Sequence, residues 1–114
     1  MKIRIPYRKG LSENSYKIGK TKVTKKHVKI WMSELVDCIR QDPDFDSFFG
    51  NPVKIKLYGY FTDNRCPDLS NLHKVIGDAV EDALGMNDRY FRFEDLGFET
   101  GHYREMLGIE LELL

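Results

Sequence analysis

A chain of 114 residues is long enough for one domain with one modest hydrophobic core, and we expect that domain to span residues 1–114. Its composition, 41% hydrophobic and 32% charged, is ordinary for a folded protein and excludes a disordered or fibrous chain. No apolar run approaches the ~18 residues of a membrane span, and the first five residues lack the apolar stretch of a signal peptide. Only Cys38 and Cys66 are present, without metal-ligand spacing, so we expect a cytoplasmic protein with no membrane partner.

The formal net charge of zero conceals a strong asymmetry along the chain. Residues 1–30 hold 10 basic side chains against the single acidic Glu13, whereas the remaining residues hold 8 basic and 17 acidic side chains. This division favours a polyanion-binding N-terminal region and an acidic remainder that can bind cations. A solvated helix face beside an exposed loop would produce the same division.

The first part of the chain predicts a strand, a loop and a helix. Lys2–Pro6 is typical of a short strand closed by proline, and residues 7–22 are polar and contain glycines, which favours a long loop. Thr24 is a suitable N-cap for a helix that runs to about Gln41, where an Asp-Pro-Asp run ends it. The apolar stripe of this helix consists of Val28, Trp31, Leu35 and Ile39.

The second part predicts a strand, a second helix and two further strands. Residues 53–61 alternate between apolar and polar side chains, residues 69–84 have helical periodicity, and residues 90–98 and 107–113 favour strands. The order β-α-β-α-β-β predicts a small α+β domain with two helices packed on a mixed or antiparallel sheet. The alternating strand places Val53, Ile55, Leu57 and Phe61 on one face and Lys54, Lys56, Tyr58 and Tyr60 on the other.

The second predicted helix separates its polar and apolar side chains. At about 100° per residue, Asp68, Asn71, Lys74 and Asp78 fall on one side, away from an apolar stripe that begins at Leu72. An ordinary solvent-exposed helix face has the same pattern, and an aspartate at position 68 also suits a helix N-terminus. On a regular helix the ten residues from Asp68 to Asp78 span about 15 Å, so these two carboxylates cannot share one ion.

These polar positions resemble a motif of the RusA family of Holliday junction resolvases. The preceding strand, at residues 52–56, is similar to the strand before the family's acidic motif, and residues 5–6 with 12–16 are similar to its N-terminal strand and asparagine-containing loop. The element order and the chain length also agree with the family. The residues that carry the resemblance are Asp68, Asn71, Lys74, Asp78 and, after the helix, Asn87 and Asp88.

The resemblance implies a homodimeric endonuclease that binds four-way DNA junctions and cuts two strands symmetrically with Mg²⁺ or Mn²⁺. It implies that Asp68 and Asp88 bind the metal and that Lys74 is the functional lysine, so that these three are the catalytic residues. Asn71 and Asp78 match further family positions and are assigned supporting roles.

The sequence leaves two routes by which Asp88 can join the site. The chain can return through the loop at residues 85–87, where Gly85 just past the helix permits a sharp reversal, or another subunit can supply the aspartate.

Ser70 departs from the family pattern, which usually has a second aspartate at this position. A serine hydroxyl is a neutral, weak ligand for a hard cation, whereas a carboxylate supplies the charge that Mg²⁺ prefers. Serine at this position allows three interpretations: the metal is held with fewer charges, a neighbour such as Asp63 or Asp78 supplies the missing carboxylate, or cleavage is impaired. The last interpretation leads to an alternative function, a non-cleaving relative that binds branched DNA selectively.

The basic residues of the N-terminal region are the predicted DNA contacts. They would hold backbone phosphates without reading the base sequence. The predicted set is Lys17, Lys20, Lys22, Lys25, Lys26 and Arg65, with Arg8 and Lys9 as further candidates.

The remaining aromatic and histidine residues give weaker indications. The aromatic groups at Phe45, Phe48 and Phe49 are predicted to be core or dimer contacts, and Tyr90, Phe91 and Phe93 are further candidates for the dimer interface. No pair of histidines has the spacing of a zinc site, and His73 is predicted to be solvent-facing or packed, away from the acidic face.

Overall fold

The computed structural model of the chain describes residues 1–12, 17–18 and 23–114. Four strands form a mixed sheet in the order β1-β6-β4-β5, with β4 antiparallel to β6 and parallel to β5. These strands are β1 (Lys2–Pro6), β4 (Val53–Tyr60), β5 (Arg92–Glu99) and β6 (Met106–Leu113). The predicted α+β class, with helices packed on a mixed sheet, is confirmed.

A short antiparallel pair of strands was not predicted. β2 (Lys17–Ile18) pairs with β3 (Val23–Thr24) in the region where the sequence favours a continuous loop. The prediction that Thr24 caps the first helix is wrong, because this residue belongs to β3. The helix α1 (Lys26–Arg40) instead begins after Lys25, which makes no side-chain capping hydrogen bond.

The two long helices lie against each other on one face of the sheet. In α1 the predicted apolar stripe is confirmed, and the indole nitrogen of Trp31 donates a hydrogen bond to the carbonyl oxygen of Pro6 at 2.8 Å, which joins the helix to the end of β1. A four-residue helix α2 (Phe45–Phe48) follows the predicted Asp-Pro-Asp stop and buries Phe48. Burial of these large side chains is the main favourable term for a domain of this size.

The second predicted helix consists of two different elements. A 3₁₀ turn covers Leu69–Leu72, and α3 (His73–Leu84) follows it and ends at Gly85 with a left-handed φ of 65°. Glycine adopts this conformation at no steric cost, so the sharp chain reversal expected after the helix is confirmed. The predicted apolar stripe is also confirmed, with Leu72, Ile76, Ala79, Val80 and Ala83 all fully buried.

The connection from β4 to β5 contains α3, as a parallel pair of strands requires a long crossover. A second 3₁₀ turn at Asp88–Tyr90 comes just before β5, so the strand begins two residues later than predicted. Alternation along β4 is confirmed: Val53, Ile55 and Leu57 are buried under the helices, while the lysine and tyrosine side chains lie on the opposite face of the sheet. In the described residues, no helix is long and apolar enough to cross a membrane.

Candidate functional site

The candidate site lies along the face of α3 that points away from the hydrophobic core. Residues four apart in an α-helix lie one above the other, so His73, Gly77 and Glu81 form one row and Lys74 and Asp78 form the neighbouring row. The first row faces β5 and the Asp88–Tyr90 turn. The site is therefore built where α3 meets the chain segment that returns from it.

Lys74 is held by the acidic groups around it. Its ammonium nitrogen lies 3.2 Å from Oδ1 of Asp78, one helical turn further along α3. The hydrogen bond to Asp78 and the charge of that carboxylate raise the pKa of Lys74 above its ordinary value of 10.5, with smaller contributions in the same direction from Asp88 and Glu81. Lys74 is therefore a half-exposed cation in an ion pair with Asp78, and the charges of Asp88 and Glu81 act on it from further away.

Asp88 reaches the helix from the same chain. Its backbone N–H donates a hydrogen bond of 2.8 Å to Oε1 of Glu81, and the side chain of Asn87 starts the turn by accepting from the backbone N–H of Arg89 at 3.0 Å. A Cβ atom built on Gly77 would lie 3.8 Å from Oδ2 of Asp88. Because the chain reverses at Gly85, Asp88 of the same chain lies beside the middle of α3. A second subunit is therefore not needed to supply this aspartate.

Asp68, Ser70 and Asn71 lie apart from this group. Asp68 is exposed and precedes the first 3₁₀ turn, its carbonyl oxygen accepts from the backbone N–H of Asn71 at 3.0 Å, and its side chain does not cap the turn. A 3₁₀ turn rises about 2.0 Å per residue instead of 1.5 Å, so it moves Asp68 further from Asp78 than a regular helix would. Ser70 is also exposed. The structure therefore brings together Lys74, Asp78 and Asp88, but gives Asp68 no contact with them.

The donor set suits a hard divalent cation in its chemistry. Within the described ranges, no group of three or more His, Cys, Asp or Glu side chains is placed to hold a metal ion. Mg²⁺ does not require such a group, because it keeps several waters and is commonly bound by one or two carboxylates together with substrate phosphates. Asp88 suits that pattern as one carboxylate ligand, whereas Asp68, the second predicted ligand, lies apart from it; a zinc or calcium cage does not fit these residues.

The predicted DNA contacts have different surroundings. Lys20 and Lys22 lie outside the described residues, and of Lys17 only the position in β2 is described. Lys25 is half-buried and Lys26 is exposed at the start of α1. Arg65 is exposed, but its guanidinium lies 2.9 Å from Oδ2 of Asp63, and this pairing lowers the pKa of the Asp63 carboxyl.

A basic cavity next to α1 was only partly anticipated from the sequence. Arg8, Lys9 and His27 line a cavity of about 320 Å³ together with Trp31 and Glu34. Arg8 and Lys9 had been named as further candidates for DNA contacts, whereas His27 had not. The cavity lies at the same end of the molecule as Lys25 and Lys26, so it extends the basic surface there.

Two further residues near the site were missed by sequence reasoning. Glu81 was not singled out, although its spacing of four from Gly77 and three from Asp78 places it on the same face. His73 was expected to be solvent-facing or packed, and its ring does pack on Phe93. Its pairing with Asp95 on β5, at 2.8 Å between Nε2 and Oδ1, was not anticipated. No local signal in the sequence joins residues 73 and 95, because they lie on two elements that meet only in the tertiary structure.

A lysine that is paired with a carboxylate on an exposed helix face can bind a phosphate oxygen once a substrate displaces that ion pair. Hard oxygen ligands beside it provide the chemistry for a cation that would bind the same phosphate. The chain matches no protein-family model, and no curated protein matches it significantly. The resemblance to the RusA family therefore depends on the motif residues and on the element order.

Proposed function

We propose that this protein is an endonuclease that resolves branched DNA, including Holliday junctions, by symmetric phosphodiester hydrolysis with Mg²⁺ or Mn²⁺. The observation that carries the proposal is the ion pair of Lys74 with Asp78 on the helix to which the loop after α3 returns Asp88, whose backbone N–H binds Glu81. A lysine with carboxylates on the same side of the helix supports a site that handles both phosphate and metal.

In this proposal Lys74 stabilises the negative charge that develops on the phosphoryl oxygens during cleavage. Asp78 holds the lysine side chain in position by their 3.2 Å contact and maintains its positive charge. Asp88 and Asp68 would hold the cation, which when bound polarises the phosphate and lowers the pKa of a water molecule. Asn71 and Ser70, on the turn after Asp68, support the exposed side of the site.

The basic N-terminal region supplies the DNA-binding surface. Lys25, Lys26 and the Arg8–Lys9 pair lie at one end of α1, and the remaining predicted contacts are Lys17, Lys20, Lys22 and Arg65. Such contacts neutralise backbone phosphates and give an affinity that falls steeply with salt concentration. They hold the duplex arms of a junction, whatever their base sequence.

Two symmetric cuts require two sites related by a two-fold axis, so we propose that the active species is a homodimer. Of the aromatic residues considered for the interface, Phe48 and Phe91 are buried in the core and cannot contact a partner. Phe49 and Tyr90 are about half exposed and remain available. Sedimentation showing only monomer at micromolar concentration, with and without junction DNA, would contradict the dimer.

One observation favours the alternative, a structure-selective DNA-binding protein that does not cleave. Asp68 is exposed and forms no contact with the acidic group on α3, and Ser70 stands where the family usually has a carboxylate. A relative with a weakened metal site would keep the fold and the basic surface. The enzyme is the stronger proposal because Lys74 and Asp88 are both present and joined to the same helix.

A synthetic four-way junction with labelled arms separates the two functions. The wild-type protein is incubated with the junction and Mg²⁺ or Mn²⁺, with a linear duplex of the same sequence as the substrate control and Asp88→Asn as the protein control. Paired nicks at symmetric positions in the junction alone support the endonuclease. Tight, junction-selective binding without nicking supports the alternative, and equal binding to junction and linear duplex would contradict both.

A further inference from the structure

His73 and Asp95 form a close pair beside the candidate site. Nε2 of His73 lies 2.8 Å from Oδ1 and 3.1 Å from Oδ2 of Asp95. Both side chains are about one-third exposed, so water reaches the pair. The first residue of α3 is thereby joined to the outer strand of the sheet.

The ring of His73 is constrained in two ways. It stacks on the ring of Phe93 with a centroid distance of 4.1 Å and an interplanar angle of 14°. The carboxylate of Asp95 accepts the proton of Nε2, and this hydrogen bond sets the neutral tautomer in which Nδ1 carries the lone pair. The imidazole is therefore held in a fixed plane with one nitrogen available as a base.

This pair lies close to the acidic group on α3. The tip of the Phe93 ring lies 3.5 Å from the position of a Cβ on Gly77, and Oδ2 of Asp88 lies 3.8 Å from the same point. Gly77 is one helical turn from His73, and Lys74 is the next residue in the chain. The ring of Phe93 and Gly77 therefore lie between His73 and Asp88.

We propose that His73 accepts the proton of the attacking water in phosphodiester cleavage, with Asp95 as the residue that positions it. This proposal depends on the proposed endonuclease function. Nδ1 takes one proton from the water, the water oxygen forms a bond to phosphorus, and one bridging P–O bond breaks. The departing oxygen takes a proton from solvent, and the imidazolium later returns its proton to solvent. Asp95 stays ionised and stabilises the imidazolium, as in other carboxylate–histidine pairs.

Three charged groups lie around the imidazole. Asp95 on β5 contacts the ring, Lys74 follows it on α3, and Asp88 lies across Gly77. A general base acts in its unprotonated form, so the proposal predicts a cleavage rate that falls on the acidic side of the pH profile. If the histidine only tied α3 to β5, glutamine could replace it without loss of rate, because glutamine can donate the same hydrogen bond to Asp95.

The test compares His73→Gln and Asp95→Asn with the wild type in single-turnover cleavage of a four-way junction across pH. His73→Gln is expected to lower the rate constant by about 100-fold or more and to remove its fall at acidic pH, with junction affinity unchanged within about twofold. Asp95→Asn is expected to lower the rate by about 10- to 100-fold. His73→Ala with added imidazole should recover part of the rate, which a structural tie would not permit.

The chain offers a matched control in His102, whose Nε2 lies 3.1 Å from Oε1 of Glu99 with a similar exposure. His102→Gln is expected to cleave like the wild type. A wild-type rate and pH profile in His73→Gln would overturn this inference alone, while Asp88→Asn still abolishes cleavage. A slower His73→Gln with an unchanged pH profile and no imidazole recovery in His73→Ala would also overturn it. Absence of cleavage by the wild type would overturn the proposed function and this inference with it.

Discussion

The two halves of the motif differ in how firmly the fold holds them. The half at the first 3₁₀ turn, residues 68–72, presents an exposed Asp68 whose side chain has no capping contact. The half on α3 and the following turn has an ion pair at Lys74, a hydrogen bond between Glu81 and the backbone of Asp88, and a glycine that admits the aspartate. The motif is thus divided into an exposed half, residues 68–72, and a connected half, which consists of α3 and the Asp88–Tyr90 turn.

This difference has a consequence for function. Groups held by several contacts are already placed for a substrate, and pre-organised charges stabilise a transition state without reorganisation. An exposed carboxylate becomes effective only when a ligand recruits it. We therefore expect the connected half to determine the rate of cleavage and the exposed half to determine how well the cation binds.

The largest expected effect separates the two halves directly. Asp88→Asn is expected to lower cleavage of a four-way junction by at least about 100-fold, since it removes a carboxylate from the connected half. Asp68→Asn should also abolish cleavage at low Mg²⁺, but high Mg²⁺ should restore part of it. Junction binding, measured by a mobility shift, should be unchanged in both. Undiminished cleavage in Asp68→Asn would remove the exposed half from the site.

The next prediction tests whether DNA is bound outside both halves. Replacing Lys25 and Lys26 with alanine should weaken binding to every form of DNA and reduce the slope of log affinity against log salt by ~0.9 per lost phosphate contact. Lys54→Ala is the control, because this lysine lies on the sheet face opposite the helices and pairs with Glu94 at 3.4 Å. An unchanged slope of log affinity against log salt in the double variant would show that neither lysine contacts a DNA phosphate.

Ser70→Asp adds a carboxylate to the exposed half. We expect it to lower the Mg²⁺ concentration at half-maximal cleavage by on the order of tenfold, or ~1.4 kcal/mol of binding free energy. Ser70→Asn, which has a similar volume and no charge, is the matched control. A gain in both variants would mean that charge at this position is not the cause.

Gly77 tests how closely the connected half is packed. Its added Cβ would meet Phe93 at 3.5 Å, an ordinary contact, so Gly77→Ala should raise the free energy of unfolding by ~0.5–1 kcal/mol and preserve cleavage. Gly77→Leu should displace Phe93 or Asp88 and reduce cleavage. Chemical denaturation and junction cleavage measure the two effects. Equal cleavage in both variants would show that the position of Asp88 is not critical.

The smallest effect concerns the ion pair between Lys74 and Asp78. The pKa of Lys74 is raised in the folded state, so its stabilisation is fully present below the ordinary lysine pKa and is lost as pH rises through the folded value. The side chain of Lys74 is 46% exposed, and such helical pairs contribute only ~0.3–0.5 kcal/mol. Asp78→Asn should therefore be less stable than the wild type at pH 8, and the difference should shrink near pH 11. A difference that is constant with pH would exclude the ion pair as its cause.

The features that the sequence predicted correctly are those with a local cause. Alternation along β4 and the apolar stripe of α3 follow from the period of each element, and the reversal at Gly85 follows from the freedom of glycine to adopt a positive φ. The cap of α1 was predicted wrongly for a non-local reason. Thr24 has the right chemistry for a cap, but its pairing with Lys17 in the β2–β3 ladder places it in a strand.

The candidate site was predictable only to the level of single residues. Lys74 and Asp78 have a spacing of four, so their contact could be expected from the helix alone. The approach of Asp88 to Gly77 required the loop that reverses the chain, and the position of Asp68 required knowledge that the helix begins as a 3₁₀ turn. Local rules do not give the relative placement of such segments.

By itself, the sequence determined the order of elements, the faces of the helices and strands, the concentration of positive charge near the N-terminus and the acidic and basic groups available for chemistry. Only the tertiary structure decided which of those groups meet. The pairing of His73 with Asp95 depends on the parallel alignment of β4 with β5, and the placing of Asp88 depends on the chain reversal after α3. The physical reason is that periodicity sets the direction of each side chain, whereas contacts between distant segments arise from packing around a shared core.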